Sequence, residues 1–93
     1  MENNKVGNFI AEMRKKKNLT QQQLGGKLYV TDKAVSKWER GLSLPDVSLY
    51  PKICKELDIK LEELINGEKD TSDEAKEKAI IASIKETIKT KKQ

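Results

Sequence analysis

An all-helical fold built from several short segments is what this 93-residue sequence predicts, on three observations. Apolar residues recur at intervals of three and four along five short stretches. Two of those stretches open with a threonine placed to cap a helix, Thr20 and Thr31. Two close on a glycine, Gly41 and Gly67, the residue that most easily adopts the left-handed conformation at a helix end.

The first helix is expected over residues 5 to 17. Val6, Phe9, Ile10 and Met13 share one face, and Lys15, Lys16 and Lys17 form a solvated end that suits the negative pole of a helix. Asn18 leaves the helix. Thr20 is then the natural N-cap of a second helix, with Gln23 completing a capping box, and Leu24 and Leu28 point together into the core. Thr31 caps a third helix, whose Asp32 favours the positive end; Ala34, Val35 and Trp38 form its buried side and Gly41 its C-cap. Leu44-Pro45-Asp46 is a connector. Ser48 is expected to cap the fourth helix, placing Pro51 at its third position, where the missing N–H breaks no internal bond. Ile53, Cys54 and Leu57 continue that apolar face. A short fifth helix, about residues 60 to 66, carries Leu61, Leu64 and Ile65 and stops at Asn66-Gly67.

Composition narrows the function classes. The chain has 19 Lys and Arg against 15 Asp and Glu, a net charge of +4 that suits a polyanionic partner without demanding one. With no histidine, it lacks the usual general base and the commonest metal ligand. One phenylalanine, one tryptophan and two tyrosines in a chain 35% apolar leave little to line a ligand cavity. Neither a phosphate-binding glycine loop nor a cluster of metal ligands is present, so an enzyme is a poor reading and no cofactor is expected. Cys54 is single and lies in an apolar helical pattern, where it is expected as a core thiol; no disulfide within the chain is possible. With no signal-like or membrane-spanning run, a cytoplasmic location and no membrane contact are expected.

After Gly67 the composition changes. Residues 1 to 67 are expected to form one domain and residues 68 to 93 a linker and an amphipathic helical tail, with Ile80, Ile84 and Ile88 at intervals of four. That tail is open to three readings: a solvated or domain-bound helix, a partner helix in a dimer, or a lead-in to a membrane region. Its net charge of about +1 is too weak for a nucleic-acid tail.

The outer side of the third helix carries the chemistry. Asp32, Lys33, Ser36 and Lys37 form one ridge along its first turn and a half. Lysine donates to guanine O6 and N7, serine donates or accepts, and aspartate accepts from the cytosine amino group, so these are the candidate base readers. The same residues also suit a plain solvated face, and Asp32 also suits an electrostatic role at the helix start. Gln21, beside the free N–H groups that open the second helix, is a candidate phosphate donor. Lys37 and Arg40 are candidate phosphate contacts on the far side. Trp38 has two roles open, a mainly structural one with an exposed edge and an indole N–H offered to a phosphate. Arg14 and Glu39 are an acid–base pair that a contact between the first and third helices would bring together, orienting both.

The runs Ile10 to Lys15, Leu19-Thr20-Gln21, Val35 to Gly41, Leu44-Pro45-Asp46 and Leu61 to Leu64 resemble the Cro/C1-type helix-turn-helix family of bacterial and phage regulators. The resemblance covers residues 5 to 67. It implies a compact five-helix, lambda-repressor-like domain, here with an additional C-terminal helix, in which the second and third helices form the DNA-reading unit. By position it implies phosphate binding at Gln21, base or phosphate contact at Asp32, Lys33, Ser36 and Lys37, and a structural salt bridge between Arg14 and Glu39. It also implies a homodimer on a palindromic double-stranded operator, and repression as the common outcome. Two positions depart from the family pattern. Gly25 stands where alanine is usual, which is expected to loosen the second helix by up to about 1 kcal/mol. Tyr29 stands where glycine is common in the turn, a place where positive φ is uncomfortable for a ring-bearing residue.

The expected function is a sequence-specific double-stranded DNA-binding transcriptional regulator, a repressor, reading the major groove with the third helix, about residues 32 to 40. A weak homodimer strengthened on DNA is expected, through the outer side of the fifth helix or the apolar residues after Gly67. The rival reading is a protein-interaction module that keeps this fold without binding DNA; the negative charge of Asp32 keeps it open.

Overall fold

The computed structural model describes residues 3 to 70; the amphipathic segment expected over 74 to 89 lies outside them. Five α-helices and one 3₁₀ turn follow in order: α1 (Asn3–Lys16), α2 (Gln21–Leu28), α3 (Asp32–Glu39), the 3₁₀ turn Val47–Leu49, α4 (Tyr50–Leu57) and α5 (Leu61–Asn66). No strand occurs among the described residues. The fold is all-α, and α1 begins two residues earlier than its apolar pattern requires.

Five helices of 6 to 14 residues are too short to persist alone, so packing must hold them. Val6, Phe9, Ile10 and Met13 of α1 meet Leu24 and Leu28 of α2, Val35 and Trp38 of α3, Tyr50, Ile53 and Leu57 of α4, Ile59, and Leu64 of α5 in one apolar cluster. Leu19, Val30, Ala34, Leu49 and Cys54 pack against its edge. Trp38 is only 5% exposed and belongs to this core. Cys54 is half-buried; burial and then the charge of Glu63 push its thiol up from the ordinary value.

Each helix stops in the same way. Asn18, Tyr29, Gly41, Asp58 and Gly67 all have positive φ, between 54° and 74°. The next residue then turns its N–H back to the carbonyl five positions earlier: Leu19 to Arg14, Val30 to Gly25, Leu42 to Lys37, Ile59 to Cys54 and Glu68 to Glu63, at 2.8 to 3.2 Å. Four of those following residues are apolar, and Leu19, Val30 and Ile59 lie in or against the core. Glycine supplies the left-handed residue only twice, and Tyr29 is the costly choice among the rest.

Two expectations fail here for local reasons. Asp46, not Ser48, opens the helical segment before α4: its carboxylate accepts the Ser48 N–H at 3.0 Å and the Ser48 hydroxyl as well. Those bonds, the hydroxyl's first, hold Asp46 below the usual carboxylate range. A 3₁₀ turn follows, and Pro51 falls within the first two residues of α4 rather than at its third. On α5 only Leu64 of the three apolar candidates is buried; Leu61 and Ile65 are 49% and 39% exposed.

The inward place beside Leu64 belongs to Glu63, 2% exposed. Its carboxylate accepts the N–H of Lys60 and that of Asp70, each at 2.7 Å, and pairs with the Lys69 ammonium at 3.4 Å. Burial works against the charge, but these bonds and the ammonium outweigh it and hold Glu63 below its ordinary value. Residues 68 to 70 are thereby tied to the helical body, and Glu68 adds an ion pair to Lys5 at 3.1 Å.

Candidate nucleic-acid interface

The second and third helices meet as an angular pair because their ends are specified locally. Thr20 accepts the Gln23 N–H at 3.0 Å while Gln23 accepts the Thr20 N–H at 2.9 Å, a complete capping box. Thr31 accepts the Ala34 N–H at 3.1 Å and starts α3 two residues after Tyr29 has ended α2. The crossing is tight. A Cβ on Gly25 would lie 2.9 Å from the Val30 carbonyl oxygen and 3.1 Å from Thr31, so the bare glycine lets the turn fold onto α2. Its absence of side chain is therefore used in packing, which the expectation of a merely loosened helix did not include. Gly7 does the same between α1 and α3, where a Cβ would sit 2.1 Å from the Trp38 carbonyl oxygen.

With Val35 and Trp38 buried, the opposite side of α3 faces outward. Asp32, Lys33, Lys37 and Arg40 are exposed, and Ser36 is half-buried among them. Their spacing sets Asp32 and Ser36, Lys33 and Lys37, and Ser36 and Arg40 one helical turn apart. Arg40 is folded back along the helix, its Nε donating to the Ser36 carbonyl at 3.4 Å. The ridge mixes three cations with one carboxylate and one hydroxyl, a donor-rich surface with a single strong acceptor.

Arg14, Gln21 and Glu39 come together behind that ridge. The Arg14 guanidinium donates from Nε to Glu39 Oε2 at 2.7 Å and from Nη2 to Oε1 at 3.0 Å, a two-pronged pair with both side chains nearly buried. Its Nη1 donates to the Leu19 carbonyl at 2.7 Å. The bond to Glu39 raises the already high value of Arg14, against the burial that opposes it, so the guanidinium stays charged. Gln21 donates from Nε2 to Glu39 Oε1 at 3.0 Å. Sequence reasoning paired Arg14 with Glu39 and missed Gln21 as the third member. Eighteen residues separate Gln21 from Glu39, and no local pattern signals the contact.

No group of three or more metal-ligating side chains occurs among the described residues, and no helix there is long and apolar enough to cross a membrane. A capped helix, a tight turn and a second capped helix with an exposed polar ridge define a helix-turn-helix domain. The family model described as helix-turn-helix matches residues 10 to 64, and the chain belongs to that family, in its Cro/C1-type form. It is 41% identical over 59 residues to the HTH-type transcriptional activator BcrR of Enterococcus faecalis, covering 63% of this chain and 29% of that protein. It is 37% identical over 70 residues to the uncharacterized HTH-type transcriptional regulator YqaE of Bacillus subtilis (strain 168), covering 72% of this chain and 60% of the relative. The chain thus spans less than two thirds of either relative. Among solved structures it resembles the P22 c2 repressor protein in complex with synthetic operator 9T in the presence of Tl+, with a TM-score of 0.64 and 30% identity over 68% of this chain and 96% of that one.

Proposed function

We propose that this chain is a sequence-specific double-stranded DNA-binding transcriptional regulator that reads the major groove with α3. The observation that carries the reading is the exposed ridge of Asp32, Lys33, Ser36 and Lys37 on α3, the helix whose last residue, Glu39, is hydrogen-bonded to Gln21 at the start of α2. The likeness to a repressor seen on an operator supports it. In this reading the ridge residues contact base edges, and Gln21, Lys37 and Arg40 hold the phosphate backbone without reading sequence. Residues 1 to 67 are the DNA-binding unit, and residues 68 to 93 form the linker and tail.

One such unit reads only a few base pairs. Useful specificity therefore calls for two copies about 34 Å apart on one face of a palindromic operator, as a weak homodimer that DNA strengthens. Repression is the proposed outcome, by occupying a site that overlaps a promoter.

Titrating a randomised duplex pool with the protein and sequencing the bound fraction tests the reading directly. Enrichment of a two-fold symmetric motif, with affinity falling steeply as salt rises, is expected. A pool recovered without any preferred sequence at low salt sinks the reading and favours the protein-interaction module. A promoter reporter carrying the enriched site then separates repression from activation.

A further inference from the structure

We propose that Glu39 is a positioning residue for the phosphate-facing amide of Gln21, a role beyond its pairing with Arg14 and one that rests on the DNA-binding reading above. Glu39 is the last residue of α3 and Gln21 the first of α2, so one carboxylate joins the end of the reading helix to the start of the clamping helix.

The chemistry leaves Gln21 one orientation. Glu39 Oε1 accepts from Gln21 Nε2 at 3.0 Å, and the same carboxylate repels the amide oxygen. The flipped amide, which would aim its oxygen where a phosphate lies, is therefore excluded. One N–H of the amide is committed to Glu39 and the other is left to donate. A glutamine without such an anchor samples both orientations, and only one of them suits an anion.

A carboxylate near a phosphate site ordinarily opposes binding. Here the Arg14 guanidinium lies across both of its oxygens, at 2.7 and 3.0 Å, so the pair carries no net charge toward the duplex. The Glu39 side chain is 7% exposed and the Arg14 side chain 11%, which keeps the pair from being dispersed by solvent. Arg14 thus lets Glu39 act as an orienting acceptor at little electrostatic cost to DNA binding.

The test is a double-mutant cycle on the full chain with an operator duplex and a random duplex, supported by the side-chain amide resonances of Gln21. In the free protein one Gln21 amide proton should show the shift and slow exchange of a hydrogen-bonded N–H, lost in Glu39→Gln. Gln21→Ala should weaken both duplexes by about two- to tenfold, the span of one ordinary hydrogen bond. In the Glu39→Gln background the same change should cost little more, whereas Lys33→Ala should keep its full effect. Glu39→Asp, which retains the charge but not the reach, should behave like Glu39→Gln and stands in for it if that variant fails to fold. An undiminished cost of Gln21→Ala in either background overturns the positioning role while leaving DNA binding in place. A wild-type chain that selects no DNA, yet shows the bonded amide, overturns the underlying reading instead.

Discussion

The ammonium of Lys52 on α4 lies 3.9 Å above the ring centroid of Tyr29, the left-handed residue that ends α2. The ring is 84% exposed, so this cation over its face is the contact that engages it. Tyr29 thus combines a backbone cost with a modest side-chain gain. A left-handed residue with a side chain costs about 1–2 kcal/mol, and an exposed cation–π contact returns about 0.5–1 kcal/mol.

Two substitutions at Tyr29 separate those terms. Tyr29→Ala keeps the strain and loses the ring, whereas Tyr29→Gly loses both. Chemical denaturation should find the glycine variant more stable than the alanine variant by about 1 kcal/mol. Equal stabilities would mean that the turn is not strained.

Adjacent glycines in α2 should respond in opposite ways to alanine. Gly26 has open space around its missing Cβ, so Gly26→Ala should gain up to about 1 kcal/mol from helix propensity. Gly25→Ala should forfeit that gain, because its Cβ would press on the Val30 carbonyl. Thermal melts of the two variants provide the comparison.

Acid should loosen the end of the domain through Glu63. Its value is held below that of the unfolded chain, so the unfolded state binds more protons in the interval between the two values. The contribution is complete above the unfolded value and disappears as pH falls through the folded one. Glu63→Gln should lower stability at neutral pH by about 1–3 kcal/mol, because one amide oxygen cannot serve both the Lys60 and Asp70 N–H groups. It should also flatten the acid limb of stability against pH. A limb of unchanged slope would assign the acid sensitivity to other carboxylates.

On DNA, positioning and reading should part company. Arg40→Ala is expected to weaken cognate and random duplexes by the same factor, since a phosphate contact carries no sequence. Lys33→Ala should cost about 1–3 kcal/mol on the cognate site alone. Asp32→Ala decides between two roles. Lost base preference with firmer random binding marks a reader, while a lower melting temperature with intact preference marks a charge that serves only the start of α3.

Self-association should respond to the exposed apolar residues of α5. If Leu61 and Ile65 supply the contact between copies, Leu61→Glu should weaken the second binding event on a palindromic duplex by about tenfold. Sedimentation of the variant with a single site would then show one chain per duplex where the wild type shows two. No change would direct attention to the residues after Gly67.

Features set within a few residues were legible in the amino-acid order. The Thr20 and Thr31 caps, the stops at Gly41 and Gly67 and the inward faces of α1 and α3 depend on neighbours one turn away. Ser48 misled because Asp46, two residues earlier, binds the same stretch of backbone more effectively as a carboxylate acceptor. The six residues of α5 make fewer than two turns, too few for periodicity to tell Leu64 from Leu61 and Ile65. Glu63 was hidden for a different reason: apolar spacing has no place for a buried carboxylate whose donors arrive from residues 60, 69 and 70. Within the candidate site, opposite charge suggested that Arg14 meets Glu39. The amide of Gln21 and the close passage of Gly7 under Trp38 depend on three-dimensional proximity that carries no mark in the order of residues.

Because every helix carries its own stop in its last residues and the one or two that follow, the stretches between them have no part in ending anything. Ser43 to Pro45 illustrates the consequence. The stop of α3 is complete at Leu42, and the next helical segment begins afresh at Asp46. Residues added between Leu42 and the buried Pro45 would lengthen the connection without unwinding or overwinding either neighbour. A lineage of such domains can therefore acquire or shed length there at little expense to the fold, and this is where inserted segments that diversify partner choice should accumulate.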